Sequence, residues 1–289
     1  MKADKASSTA QLMALFRALE TSRSSDERIF YDPYAIEFLD GNMKAAAKFA
    51  RFPLIRNLVE RRIQKLIPGA LSSGIARTKY IDDLLERTVG EGVNQLVILG
   101  AGFDTRALRL PYLQQTPVIE IDHPNTAALK MERLRNKIGN LPGHVRYLQI
   151  DFNKESFDEF VRKHSIDLTR RSTILWEGVS NYLTEQAVAN VFRFVEKFSQ
   201  GSVIIFTYVD QLVLQNPASF FGAERLLRDL KEMEERWTFG FDPLMLSKYL
   251  ATFHLILLED VDASAYRAKF LRHRTEKGYE FYRVALARS

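Results

Sequence analysis

Gly100, Gly102 and Asp122 have the types and the spacing to grip a nucleoside. They lie in the stretch QLVILGAGFDTRALRLPYLQQTPVIEID, residues 95–122. Leu96, Val97, Ile98 and Leu99 form a short apolar run ending at a glycine, which predicts a buried strand. Gly100, Ala101 and Gly102 follow, where the chain must turn sharply and let a ligand approach its backbone. A second strand is expected over 117–121 and ends on Asp122, 22 residues after Gly100. A glycine turn after one strand and a carboxylate at the tip of the next is the arrangement that holds an adenosine ribose in an open α/β sheet. The dinucleotide fingerprint needs a third glycine, and Thr105 occupies that position. Without the close helix approach that a diphosphate requires, the pattern favours an adenosine cofactor without pyrophosphate, S-adenosylmethionine being the first choice.

Other residues could complete such a site. Glu120 precedes Asp122 by two and shares its strand face by alternation. Asp151, at the carboxyl end of the third strand, could accept from an adenine amine, with Phe152 offering its amide or ring. Asp151 could equally be a helix cap. Glu177 closes the apolar strand ILWEG, where an uncompensated carboxylate costs about several kcal/mol of desolvation. It therefore needs a partner, either a donor group of the cofactor or a protein cation. Tyr182, just beyond it, could face an acceptor.

The segments GAGFDTRALRL, EID and WEGVSNYLTEQAV together resemble the leucine carboxyl methyltransferase family, which includes bacterial polyketide-type O-methyltransferases and a tRNA-modifying branch. ALETSRSSDERIFYDPYA, near the N-terminus, fits the bacterial branch. The resemblance implies a class I methyltransferase fold: an α/β, Rossmann-like sheet of seven mostly parallel strands, with N-terminal helices and a helical lid insertion. It implies that Arg77, in ARTKYIDD, meets the donor's carboxylate through its planar fork, with Arg106 as second choice and Asp104 bracing the turn. It implies that Glu177 contacts the cofactor through its ammonium, and that the backbone of Gly100, Ala101 and Gly102 faces the methionine portion. A further basic residue of the family has Arg17, Arg23 and Arg28 as possible counterparts, and spacing does not choose among them. The family's protein-phosphatase partner does not carry over, because residues 210–243 match none of its lid sequences.

Methyl transfer from a sulfonium is one in-line displacement with a neutral leaving group, so the protein's task is alignment. A carboxylate acceptor is already ionised at neutral pH, whereas a phenol or hydroxyl needs a base. The five histidines show no metal-binding spacing, and His123 beside Asp122 reads as structural. The absence of an evident base leans toward a carboxyl acceptor on a small molecule. Tyr182 and Arg225 are the candidates for the acceptor side.

These residues need an ordered scaffold. Helices are expected over 6–22, from Asp32-Pro33 to Leu39, over 44–67 with Pro53 dividing it, and over 72–89. Strands follow at 95–99, 117–121, 145–150, 172–177, 202–208, 253–259 and 279–287, separated by helices, which argues for a parallel sheet. The last strand alternates as an antiparallel strand near the sheet edge might. The chain divides into a helical cap (1–90), a cofactor-binding core (91–209), an insertion (210–243) and closing strands (244–289), all within one methyltransferase domain. The insertion carries Phe220, Phe221, Trp237, Phe239 and Phe241 beside Arg225 and Arg228; it reads either as a lid or as a helix packing aromatics into the core.

The 289 residues are 46% hydrophobic, enough for a sizeable core, and contain no cysteine, which removes disulfides and thiolate chemistry. No apolar run approaches the ~20 residues of a membrane helix, and the N-terminus lacks a signal-like apolar core. A cytoplasmic protein without membrane contact is the expectation. The net charge of +5 is uneven, with seven Lys/Arg against one Glu in 44–67 and seven against two in 264–289. Attraction of an anionic substrate is preferred to RNA binding. A nicotinamide oxidoreductase is the other rival, disfavoured by Thr105, and a protein carboxyl or RNA methyltransferase remains a rival within the family.

Overall fold

In the computed structural model, residues 8–150, 157–272, 274 and 277–289 are described. Seven strands form one sheet: β1 (Gln95–Leu99), β2 (Val118–Asp122), β3 (Val145–Gln149), β4 (Ser172–Trp176), β5 (Val203–Val209), β6 (Ile256–Asp262) and β7 (Tyr282–Arg288). Their order is β3-β2-β1-β4-β5-β7-β6, and only β7 runs antiparallel to its neighbours. The chain moves outward from β1 on one side to β3, then crosses back to place β4 on the other. The carboxyl ends of β1 and β4 therefore flank the point where the strand order reverses, the usual binding crevice of an open α/β sheet.

The helices are α1 (Ser8–Thr21), α2 (Gly41–Phe49), α3 (Pro53–Leu66), α4 (Ala70–Gly90), α5 (Arg106–Arg109), α6 (Pro124–Ile138), α7 (Phe157–His164), α8 (Glu185–Val195), α9 (Leu212–Gln215), α10 (Ala223–Glu232), α11 (Leu246–Ala251) and α12 (Ala263–Phe270). Because side chains alternate along a strand, Val97 and Leu99 pack with Val188 and Phe192 of α8 on one face, while Leu96 and Ile98 pack with Ile81 and Leu85 of α4 on the other. Both faces are covered, so the central strands are apolar throughout rather than alternating. Trp176, edge-on to Phe192 and almost wholly buried, anchors the first layer. A third cluster joins α1 to the sheet through Phe16, Leu19, Phe38, Phe103 and Phe281.

Pro53 does divide the basic segment: α2 stops at Phe49 and Pro53 opens α3, where its missing N–H costs nothing. Two strand boundaries need correction. β6 begins at Ile256, not at 253, because Phe253 and Leu255 are buried in the turn after α11. β7 begins at Tyr282, so Tyr279 and Phe281 belong to the approach to it; both are stacked in the α1 cluster. β7 is antiparallel and lies one strand in from the edge, between β5 and β6, as its alternation suggested.

Within 210–243 the aromatics split. Phe241 packs on Tyr208 and Phe206, Phe239 packs on Phe241, and Phe220 and Trp237 pack on Phe281. Only Phe221 is exposed, at 38%. The core-packing alternative thus describes four of the five rings.

Candidate active site

Gly100 and Gly102 both sit at positive φ, +64° and +49°. A Cβ at Gly100 would lie 2.5 Å from Val179 Cγ2, so glycine is required there by space as well as by backbone conformation. At Gly102 the nearest group is the Ala10 methyl, 3.8 Å away, so only conformation demands glycine. The amides of Gly100 and Ala101 donate to the Ile121 carbonyl at 2.8 and 3.2 Å, stitching the turn to β2. Asp122 completes the link: its Oδ2 accepts from the Gly102 amide and its Oδ1 from the His123 amide at 2.6 Å. Burial raises the Asp122 carboxyl above its ordinary value, with the two amides pulling the other way. The side chain is half-buried, and its spare lone pairs leave it able to accept further hydroxyl donors.

Beneath the turn lies a network of four arginines and four carboxylates. Arg77 Nε donates to Glu177 Oε1 at 2.9 Å, and Arg106 Nη1 donates to Glu177 Oε2 at 2.8 Å. Arg106 also holds Asp82 Oδ1 at 2.7 Å and both oxygens of Asp104. Arg109 grips Asp82 with two bonds of 2.7 and 2.8 Å. Arg17 donates to Asp32 at 2.8 Å and to the Phe103 carbonyl at 2.5 Å, which fixes α1 against the turn. Thr105, at the position of the absent third glycine, donates to Asp32 at 2.7 Å, so its hydroxyl is recruited by the network.

Burial alone would raise Glu177; Arg106 and Arg77 overcome it and hold the carboxyl below the usual range. Asp104 is likewise brought down to about 2 against burial, chiefly by Arg106. Arg77 stacks 4.4 Å above the Tyr282 ring, and among the described residues its Nη2 donates only to the Met13 sulfur, at 3.5 Å. A thioether is a weak acceptor, so Arg77 presents donor capacity that an anion could use.

The expected residues therefore have distinct placements. The turn, Asp122, Arg77, Arg106 and Glu177 come together at the carboxyl ends of β1, β2 and β4. Glu120 does not join them: it is buried and paired with Lys130 of α6 at 2.5 Å, and burial pushes its carboxyl up to about 7 despite that partner. Asp104 braces the turn through the Arg106 amide and guanidinium. Among the three N-terminal arginines, Arg17 reaches the turn, while Arg23 pairs with Glu20 and Glu60 and Arg28 lies over Tyr31. His123 accepts from the Asn125 amide at 3.4 Å as the cap of α6. Asp151 and Phe152 lie outside the described residues.

Tyr182 is half-buried, donates to the Thr9 hydroxyl at 3.4 Å, and is pushed by desolvation up to about 12. It is a phenol at neutral pH, suited to donating a hydrogen bond and not to removing a proton. Thr9 in turn bonds Glu235, as does the Ser8 amide at 3.0 Å, so the start of α1 is pinned beside Tyr182. Arg225 is elsewhere: it donates to the Lys65 carbonyl at 2.8 Å, lies 3.9 Å from Asp229 and is 42% exposed. Its place on the outer side of α10 corrects its pairing with Tyr182. Sequence reading missed Asp32, Asp82, Arg109 and Tyr282. The one local signal was the i, i+3 pair Arg106 and Arg109, which share a helix face.

The sheet order with a reversed β7 and the glycine turn at the switch point define a class I methyltransferase. The chain belongs to the leucine carboxyl methyltransferase family, whose family description matches residues 10–196, well over half of its length. A candidate S-adenosyl-L-methionine-dependent methyltransferase of Mycolicibacterium gilvum is 30% identical over 220 residues, spanning 73% of this chain and 68% of the relative. The Bacillus subtilis candidate methyltransferase YktD is 31% identical over 160 residues, 53% of this chain and 51% of its own. In overall fold, the chain is similar to the crystal structure of a candidate methyltransferase from Thermobifida fusca, with a TM-score of 0.61 at 16% identity, over 95% and 94% of the two chains. A duf574 family protein from Streptomyces avermitilis gives 0.57 at 16% identity, over 96% of each.

Proposed function

We propose that this methyltransferase uses S-adenosylmethionine to methylate a carboxylate on a small molecule, with the turn at 100–102 and Asp122 as the cofactor seat. The carrying observation is Asp122 itself, a half-buried acid at the tip of β2 that accepts from the Gly102 amide and keeps lone pairs for two ribose hydroxyls. The residues present fit the cofactor. The Cβ side of Gly102 is clear out to the Ala10 methyl at 3.8 Å, which leaves backbone for a ligand to lie against. Arg77 and Glu177 offer opposite charges 2.9 Å apart, matching the carboxylate and ammonium of an amino acid. Bound S-adenosylmethionine supplies an activated methyl group on a sulfonium.

The chain's own residues orient and enclose. Asp122 fixes the sugar, Arg77 takes the donor carboxylate through its Nη2 edge, and Glu177 takes the ammonium while Arg106 prevents it from becoming an unpaired buried charge. Glu120 acts at one remove by holding Lys130. Tyr182 donates a hydrogen bond at the acceptor side, under the cover formed by the start of α1 and Glu235. Asp151 with Phe152 remains the proposal for the adenine edge. With a carboxylate acceptor, no residue has to move a proton.

Isothermal titration with S-adenosylhomocysteine tests the seat. Asp122→Ala weakens binding by ~1–3 kcal/mol, the range for losing hydrogen bonds to a charged group. Unchanged affinity would place the cofactor elsewhere. A panel of carboxylic acids and phenols, scored for methyl transfer against pH, tests the acceptor. A carboxylate acceptor gives a rate flat from neutral pH upward; a rate that climbs with pH would identify a hydroxyl acceptor.

A further inference from the structure

The corner between α2 and α3 exposes more apolar surface than the described core requires. Leu54 is 86% exposed and Leu58 68%, with Phe49, Phe52 and Ile55 open beside them. Leu54, Leu58, Arg61 and Lys65 are spaced i, i+4, i+7 and i+11 along α3, so they form one outward stripe. The opposite stripe, Arg56 and Ile63, is buried. The outer face is thus apolar over the first two turns of α3 and cationic over the rest.

The charges on this corner are unbalanced. Glu60, the only acid in 44–67, is engaged by Arg23 at 2.5 Å. Arg56 is turned inward to the Ser22 carbonyl and Glu27, and Lys44 is near Glu37. Lys48, Arg51, Arg61, Arg62 and Lys65 have no carboxylate partner among the described residues; Arg51 instead lies 4.8 Å over the exposed Phe52 ring. Apolar tips and five unneutralised cations thus face outward together from this helical corner.

We propose that the α2–α3 corner docks this protein on an anionic lipid surface. Leu54, Leu58, Phe49 and Phe52 enter the boundary between headgroups and acyl chains, and the five cations lie at headgroup level against lipid phosphates. Charge chooses this occupant over a second copy of the chain, because a two-fold contact through this face would set like charges against each other. It also chooses lipid over nucleic acid, for which exposed leucines supply no base or phosphate contact. No described helix is long and apolar enough to cross a membrane, so the attachment is peripheral. The proposal departs from the expectation of no membrane contact at this corner alone. Arg225 ties the end of α3 to α10, which places the docked face next to the insertion that borders the active site.

Flotation of the full chain with phosphatidylcholine vesicles, with and without phosphatidylglycerol, tests the proposal. Capture is expected only with phosphatidylglycerol, strong at low salt and lost as salt screens the cations. Leu54→Glu combined with Leu58→Glu should cut capture by about tenfold or more, and Arg61→Gln or Lys65→Gln by about fivefold each. Circular dichroism and thermal unfolding of each variant check that it is folded. If the double glutamate variant does not fold, Leu58→Gln alone carries the same comparison. Failure of the wild type to float with phosphatidylglycerol at low salt overturns the proposal. So does capture that the uncharged Leu58→Gln leaves unchanged, since that is simple charge attraction. A dimer in light scattering that the leucine substitutions dissolve, or retention on an acidic protein or tRNA in preference to vesicles, overturns it as well.

Discussion

Arginines meet two fates in this chain. Arg17, Arg77, Arg106 and Arg109 are buried beneath the glycine turn, each bonded to carboxylates from other elements. Arg51, Arg61 and Arg62 stand on the α2–α3 corner without an acid partner among the described residues. Inside, every desolvated charge must be matched, because leaving one unpaired costs far more than the pair gains. Outside, water screens each cation and a mismatch costs little. The surplus positive charge of the sequence can therefore collect on surfaces, where it is available to act on something else, while the active-site network consumes its cations internally.

Substitutions should separate the two regions clearly. Arg106→Met leaves Asp104 without its guanidinium partner and strips one partner each from Asp82 and Glu177, and the expected loss is about 3–5 kcal/mol in urea unfolding. A loss near that of a surface change would mean that water enters the network. Gly100→Ala adds a methyl against Val179 at a positive φ and should cost about 2 kcal/mol, together with cofactor affinity in titration.

Acid titration probes the same contrast. Asp104 has an unfolded value of 3.8 and a folded value of about 2. Its folded value is the lower one, so its stabilisation is complete above about pH 4 and disappears as pH falls toward 2. Wild type should lose about 2 kcal/mol more than Asp104→Asn across that window, as read from unfolding curves at each pH. Glu177 and Asp32 are depressed in the same sense and steepen the same acid limb. Arg62→Gln marks the small end of the scale, with a stability change under about 0.5 kcal/mol. A larger loss there would show that the α2–α3 corner is stabilised by its cations.

The aromatic insertion shows where local reading stops. Position and aromatic content left 210–243 readable as a lid or as core packing, and Trp237, Phe220 and Phe241 are held by Phe281 and Tyr208, residues that only the sheet brings near. Arg225 looked available for the acceptor because it lies among those aromatics in sequence; helix α10 turns it toward Lys65. Glu120 followed the alternation that placed it with Asp122, but α6 supplied Lys130 and claimed it.

The sequence by itself determined the strands, the two glycines and the acid at the tip of β2, because turn chemistry and side-chain alternation act within a few residues. It also determined that Glu177 needed a partner, since an apolar strand surrounds it. Which partner was decided only by the folded chain: Arg77 and Arg106 come from 100 and 71 residues away. Ion pairing has no sequence period, and a buried carboxylate accepts whichever cation the packing of helices on the sheet delivers within hydrogen-bond distance.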